Sequence, residues 1–234
     1  MVKMLTARQG KILNKVVQEY ITRAEPVSSQ LLEKRHKFDI CPATIRAEMQ
    51  KLTDKGYLVQ PHTSAGRVPT DKGYRFYVDN LQPKLKEKEL SSFEDEIDDS
   101  FRFFQHLTKR IAELTSNLAL SYFPEEDVFF KEGWDNIFKE PEFEDTDLAS
   151  KFAEMVESFE KNMEEFTDFD FPKIFIGREN PIRGSREFSV IISKIHLPKK
   201  KDGLLALLGP KRMNYNKNVD IINSLNKTCQ TKKK

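Results

Sequence analysis

The sequence predicts an α+β protein in which a winged helix-turn-helix precedes a helical linker and a carboxyl-terminal α/β domain. Three observations favour this fold. Apolar residues recur at helical spacing in three stretches before residue 55, and a turn-rich segment between two short strand-like runs follows them. Short strand-like runs and one further helical pattern lie beyond residue 170. We therefore divide the chain into residues 1–80, 81–123 and 124–234.

The first predicted helix follows Thr6. Thr6 and Gln9 have the spacing of a capping box, in which each side chain bonds to the backbone of the other residue. Pro26 disfavours helical geometry at the residue before it, so we expect this helix to end near Ala24. Its apolar face comprises Ile12, Leu13, Val16, Val17, Tyr20 and Ile21.

Two further helices and a hairpin complete the first domain. Ser28 is placed to cap the second helix, and Pro42 suits the first position of the third, where its missing N–H costs nothing. After Gly56, residues 57–60 are typical of a short strand, and PHTSAGR at residues 61–67 has the composition of a hairpin tip. The chain returns through Val68 and Pro69, and Thr70 caps a fourth helix. This order of elements indicates a winged helix-turn-helix, whose third helix enters the DNA major groove.

Helical geometry assigns roles on the third helix. At about 100° per residue, Ile45, Met49 and Leu52 form one narrow apolar face. The outer face is small and largely uncharged, and its flanks are polar and basic. An arginine can pair with guanine and a glutamine with adenine in the major groove. An ordinary amphipathic helix would show the same pattern, so the hairpin that follows decides between the two interpretations. The polar candidates are Thr44, Arg46, Gln50 and Lys51.

Charge is distributed unevenly along the chain. Residues 1–80 carry 14 Lys and Arg against 8 Asp and Glu, a net charge of +6. Residues 81–170 carry 10 against 25, a net −15, and residues 171–234 carry 15 against 4, a net +11. Such asymmetry suggests at least two functional units, and a basic segment favours nucleic-acid contact only weakly by itself.

Composition also excludes several classes of protein. The two cysteines, Cys41 and Cys229, cannot build a disulfide scaffold or complete a four-ligand zinc site alone. No apolar run approaches the roughly 18–20 residues of a membrane helix, and the first ten residues lack a secretory signal. We therefore expect a soluble cytoplasmic protein with no membrane partner and no cofactor.

Four stretches of the first 80 residues match a known family. They are LTARQ at residues 5–9, EPVSS at 25–29, PATIR at 42–46 and QPHTSAGRVPTDKGYRFYVD at 60–79. The sequence resembles the DNA-binding domain of the heat-inducible transcription repressor family, HrcA, and the last match is long and specific. The resemblance implies a repressor that binds an inverted-repeat operator in double-stranded DNA upstream of chaperone genes. It further implies a homodimer and regulation through a chaperonin.

The resemblance also bears on the individual site residues. At the hairpin tip, polar side chains and backbone N–H groups around Gly66 could meet phosphates while Arg67 enters a minor groove; a surface turn that merely needs glycine is the alternative. The family usually has Ser where this chain has Cys41, and Asn where it has Ala47, so the third helix lacks a good cap and one amide contact. The predicted DNA-binding residues are therefore Ser28, the four candidates on the third helix, and the hairpin residues His62, Thr63, Ser64 and Arg67.

The middle of the chain carries an apolar stripe from residue 84 to about Leu120, which predicts one or two helices ended by Pro124. We expect this stripe to form core or a dimer interface. Residues 129–166 predict a loop and then a helix. Strands at residues 173–176, 189–197 and 204–208 and a helix over 215–225 resemble the closing half of a GAF-like domain. Between Leu120 and Phe129, where this chain has about ten residues, the family resemblance implies the opening strands of that domain and an inserted dimerisation segment. We therefore expect a truncated domain with a smaller sheet.

Three other functions remain as alternatives. An enzyme is disfavoured because the four histidines are scattered, and no Gly-rich phosphate loop or nucleophile elbow is present. A ligand-responsive winged-helix regulator of other genes is the second alternative, because GAF-like folds often bind small molecules. The sequence of residues 173–225, however, does not predict the apolar pocket with convergent polar groups that a specific ligand site requires. A DNA-binding protein that no longer represses is the third alternative.

Overall fold

The computed structural model describes residues 5–82, 100–125, 127–166, 172–182, 184–197 and 201–231. The chain forms two compact units, Met1–Leu81 and Gln82–Lys234. Within the described ranges no helix is both long and apolar enough to cross a membrane.

The first unit is a winged helix-turn-helix, as predicted. Three helices enclose a core to which Val16, Leu32 and Ile45 contribute fully buried side chains. The two short strands pair antiparallel, with Leu58 opposite Pro69. We call these strands and residues 60–67 between them the wing. The elements are α1 (Ala7–Arg23), α2 (Ser29–Arg35), α3 (Pro42–Asp54), β1 (Leu58–Val59), β2 (Val68–Pro69) and α4 (Asp71–Asp79).

The helix starts follow the predicted capping residues. Thr6 and Gln9 form a reciprocal capping box at α1. The Ser28 and Thr70 hydroxyls accept from backbone N–H groups three residues further on, at 3.1 and 3.2 Å. Cys41 precedes α3 and makes no such bond, which confirms the weak cap expected there. Its Sγ lies 3.3 Å from Thr44 Oγ1, and this hydrogen bond lowers the pKa of the thiol.

The second unit is built around one antiparallel sheet in the strand order β4-β3-β7-β6-β5. The predicted strands near residues 173, 189 and 204 and the helix beginning at Tyr215 are confirmed. The elements are α5 (Ser100–Thr115), β3 (Leu118–Phe123), β4 (Val128–Glu132), α6 (Trp134–Ile137), α7 (Thr146–Lys161), β5 (Lys173–Ile176), β6 (Phe188–Leu197), β7 (Lys201–Pro210) and α8 (Tyr215–Thr231).

Helices cover both faces of this sheet, the GAF-like α/β arrangement that was expected. Leu120, Ala206 and Ile192 occupy paired positions on neighbouring strands and share one core with α6 and α7. On the other face, the Thr108 hydroxyl of α5 bonds to the Ser121 hydroxyl of β3. Alternation of side chains along each strand explains why both faces are apolar and buried.

Two expectations for the middle of the chain are wrong. The helix predicted to reach Leu120 ends at Thr115, because Ser116 adopts a left-handed conformation with φ 55° and the chain turns into β3. Two strands that were not predicted, β3 and β4, pair from Ala119 opposite Glu132 to Phe123 opposite Val128. The segment predicted to begin as a loop at Phe129 therefore lies within a strand.

The described part of the apolar stripe packs within its own unit. Phe104, Leu107 and Ile111 are buried, and the Phe104 ring stacks on Phe123 of β3 with centroids 3.6 Å apart. These side chains therefore serve the core rather than an interface between two copies. The earlier part of the stripe, with Phe93 and Ile97, lies outside the described residues.

Candidate DNA interface

The outward face of α3 carries the predicted polar side chains. Arg46 and Gln50 are exposed, whereas Ile45, Met49 and Leu52 are buried beneath them. Because α3 is anchored by this apolar face, its opposite side is available to a groove of DNA.

The wing tip is organised by one side-chain amide. Gln60 Nε2 donates to the carbonyl oxygens of Thr63 and Ala65, at 2.8 and 3.0 Å. His62 Nδ1 lies 3.2 Å from Ser64 Oγ, and both side chains are exposed with that of Thr63. The tip therefore presents several hydrogen-bonding groups on a turn whose backbone is internally bonded.

Gly66 brings the wing close to the turn before α2. A Cβ at this position would lie 2.4 Å from the carbonyl oxygen of Val27, a backbone atom that cannot move independently. The adjacent residue, Arg67, exchanges two backbone hydrogen bonds with Val27, at 2.8 and 2.9 Å. Glycine is needed here for a close backbone approach.

Arg67 also reaches α3. Its Nε donates to Thr53 Oγ1 at 3.1 Å and its Nη2 donates to Gln50 Oε1 at 2.8 Å. The guanidinium group therefore lies against the outward side of α3, a contact between residues 17 positions apart that sequence periodicity could not show.

A groove of about 690 Å³ lies between α2, α3 and the wing. Six of the nine predicted site residues line this groove, and the remaining three, Thr44, Lys51 and His62, do not. The six are Ser28, Arg46, Gln50, Thr63, Ser64 and Arg67.

Lys51 belongs to a network that sequence analysis missed. Its Nζ donates to Glu48 Oε1 at 2.8 Å, and the other Glu48 oxygen accepts from Gln9 Nε2 at 2.9 Å. Gln9 Oε1 in turn accepts from Lys55 Nζ at 2.8 Å. These two donors to Glu48 lower the pKa of its buried carboxyl group. The sequence did contain a signal for this network: Glu48 lies on the core-facing side of α3, and a buried charge requires partners.

This architecture defines a winged-helix protein with a second unit built on a helix-covered antiparallel sheet. The family profile described as HrcA protein C terminal domain matches residues 68–219, more than half of the chain. The chain belongs to the HrcA family.

Two curated relatives illustrate the match. The heat-inducible transcription repressor HrcA of Thermodesulfovibrio yellowstonii is 27% identical over 336 residues, covering 94% of this chain and 96% of the relative. The repressor of the same name from Natranaerobius thermophilus is 45% identical over 130 residues, covering 52% of this chain and 37% of the relative. Because the first alignment is longer than this 234-residue chain, it contains long gaps here, as expected for a shortened form.

One solved structure shares the fold along nearly the whole chain. It is a crystal structure described as a hypothetical protein, with a TM-score of 0.74 and 21% sequence identity. The match covers 97% of this chain and 98% of that chain.

Proposed function

We propose that this chain is a transcriptional repressor of heat-shock genes, which binds an inverted-repeat operator in double-stranded DNA through its first unit. The observation that carries the proposal is the groove between α2, α3 and the wing, lined by polar side chains from all three elements. Membership of the HrcA family supports it, since the curated relatives are named heat-inducible transcription repressors. The target genes would be those of chaperones and chaperonins.

Residues on the outward face of α3 would contact the base edges. Arg46 is exposed beside the small Ala43 and Ala47, so its guanidinium group can approach a guanine edge without obstruction. Gln50 lies one turn further along and is the candidate for an adenine contact. Thr44 and Lys51 would contact the flanking backbone.

Residues at the start of α2 and in the wing would contact the DNA phosphates. In helix-turn-helix complexes the helix before the recognition helix crosses the DNA backbone, and Ser28 at the start of α2 would then lie near a phosphate. The exposed tip residues His62, Thr63 and Ser64 would contact the backbone beside it. Such contacts fix the register of α3 on the duplex but carry no sequence information themselves.

Two copies would act together on an inverted repeat, because two identical half-sites require two identical DNA-binding units related by a two-fold axis. We also propose that a chaperonin regulates the protein, as the family resemblance implies.

A binding titration tests the proposal. Inverted repeats upstream of chaperone genes in the source genome supply the candidate operators, and a scrambled duplex of equal composition is the control. We expect binding at least 10³-fold tighter to the operator than to the control at physiological salt. Equal affinity for both duplexes, or no binding even at low salt, would contradict the proposed function.

A further inference from the structure

Arg67 connects three segments of the first unit. Its backbone pairs with Val27 in the turn before α2, and its side chain donates to Thr53 and Gln50 on α3. A single residue of the wing therefore holds the wing against both parts of the helix-turn-helix.

Thr53 and Gln50 each accept a hydrogen bond from Arg67 and donate another one within α3. The Thr53 hydroxyl donates to the Met49 carbonyl at 3.0 Å, which leaves its oxygen to accept from Arg67. Gln50 Nε2 donates to Asp54 Oδ1 at 2.8 Å, while Gln50 Oε1 accepts from Arg67. The amide of Gln50 is thus held at both ends although its side chain is exposed.

We propose that Arg67 is a positioning residue, which orients the Gln50 amide and sets the wing against α3 before DNA is bound. The inference rests on the proposed function and assigns Arg67 a role different from insertion into a minor groove. Its Nε–H and one Nη2–H are already bonded to Thr53 and Gln50 of α3. Base selectivity at the position read by Gln50 would then depend on Arg67.

The geometry of the two side-chain bonds makes arginine specific for this role. Nε and Nη2 belong to one rigid plane and donate in fixed directions. Their acceptors, Thr53 Oγ1 and Gln50 Oε1, lie three positions apart on one face of α3. A lysine ammonium group keeps the charge but cannot supply this fork. The exchange Arg67→Lys therefore separates a positioning role from a purely electrostatic one.

The test is a double-mutant cycle with Arg67→Lys and Gln50→Ala. The measured quantity is the ratio of Kd for the operator to Kd for a set of operators carrying single base-pair changes. We expect each variant to lose on the order of 10-fold in selectivity at the same base pair, and the double variant to lose no more. Because the lysine keeps the positive charge, the salt slope of Arg67→Lys on random DNA should match that of the unmodified protein. Selectivity unchanged in Arg67→Lys, or additive losses in the double variant, would overturn the inference.

Arg110→Lys is the matched control, because this exposed arginine lies in the second unit and pairs locally with Glu113. It should bind like the unmodified protein. A second readout needs no DNA: the side-chain amide signals of Gln50 in NMR spectra of the free protein. We expect these signals to shift in Arg67→Lys, and unchanged signals would overturn the inference. If the chain bound no DNA, the proposed function would fail, whereas the coupling of Arg67 to Gln50 would still be measured.

Discussion

Arg46 is the exposed side chain most directly suited to reading a base. It lies on α3 above the buried Ile45 and Met49, and its guanidinium group can form a bidentate pair with guanine. We expect Arg46→Ala to weaken operator binding by about 1–3 kcal/mol and binding to random DNA by little. Fluorescence anisotropy titrations with both duplexes measure this difference, and equal losses on the two would contradict a base-reading role.

Lys51→Ala provides the contrasting variant for that experiment. Its ammonium group pairs with Glu48 and lies outside the groove, so any DNA contact would be to the backbone. We expect similar weakening on operator and random DNA, with the salt slope reduced by roughly one unit. An unchanged slope would exclude Lys51 from the phosphate contacts.

The carboxyl group of Glu48 gives the first unit a dependence on pH. Hydrogen bonds from Lys51 and Gln9 lower its pKa in the folded state, so the unfolded state binds a proton more readily. Its contribution to stability is therefore present above the ordinary glutamate pKa of about 4.3 and is lost as the pH falls through the lowered value. We expect Glu48→Gln to reduce the free energy of unfolding by on the order of 1 kcal/mol at pH 7, with the difference shrinking in acid.

Urea unfolding followed by circular dichroism measures this loss at each pH. Trp134 is the single tryptophan and belongs to the second unit, so its fluorescence transition serves as an internal control. That transition should have the same midpoint in Glu48→Gln. A difference that persisted unchanged in acid would show that the carboxyl charge is not its source.

Single residues show how far the sequence could be interpreted. The exposure of Arg46 and Gln50 followed from helical periodicity, because a helix anchored by three apolar residues must turn its other side outward. The bonds from Arg67 to Gln50 and from Gln9 to Glu48 could not be predicted, since each joins residues brought together only by the packing of separate elements.

Among the elements, the wing depends on backbone proximity at Gly66. Any Cβ there would overlap the Val27 carbonyl and separate the two backbones that Arg67 joins. We expect Gly66→Ala to lower operator affinity at least 10-fold while the second unit keeps its Trp134 transition. Gly10→Ala is the matched control: its Cβ would meet only the end of the Phe76 ring at 3.2 Å, and alanine favours the α1 helix. Equal affinity of Gly66→Ala and Gly10→Ala would contradict this role for the wing.

The second unit contains a comparable connection at Arg212. Arg212 follows β7 in the chain, and its largely buried guanidinium group donates to Glu142 at 2.8 Å and also bonds to Glu140. Contact with these carboxylates raises its pKa despite burial, so it stays charged across the accessible pH range. We expect Arg212→Met to cost about 3 kcal/mol in the Trp134 unfolding transition, because two partly buried carboxylates lose their partner. A loss below about 0.5 kcal/mol would place this network with ordinary surface ion pairs.

Element boundaries were predictable where capping or proline chemistry marks them. Thr6, Ser28, Pro42 and Thr70 all mark helix starts that the structure confirms. β3 was missed because its apolar residues continue the spacing of α5, and a short apolar run does not distinguish a helix from a buried strand. The Ser-Asn pair at residues 116 and 117 was the available turn signal.

At the scale of the whole molecule, self-association needs a surface other than the described part of the stripe. Phe104, Leu107 and Ile111 are occupied within the second unit. The net charge of −15 over residues 81–170 also disfavours contact of that segment with DNA, whereas residues 1–80 carry +6. The first unit alone supplies only a modest positive charge for DNA binding, and pairing of two chains would raise the affinity through effective concentration.

An operator with two-fold symmetry tests this pairing. Two equal half-sites are occupied alike only when two winged helices present α3 in successive major grooves, about one helical turn apart. We expect sedimentation at micromolar concentration to show a dimer, and titration to give two chains per inverted repeat. A duplex with about five base pairs inserted between the half-sites rotates them to opposite sides of the helix, so its affinity should fall to that of a single half-site. A monomer with and without operator, or indifference to the insertion, would show that each chain binds alone.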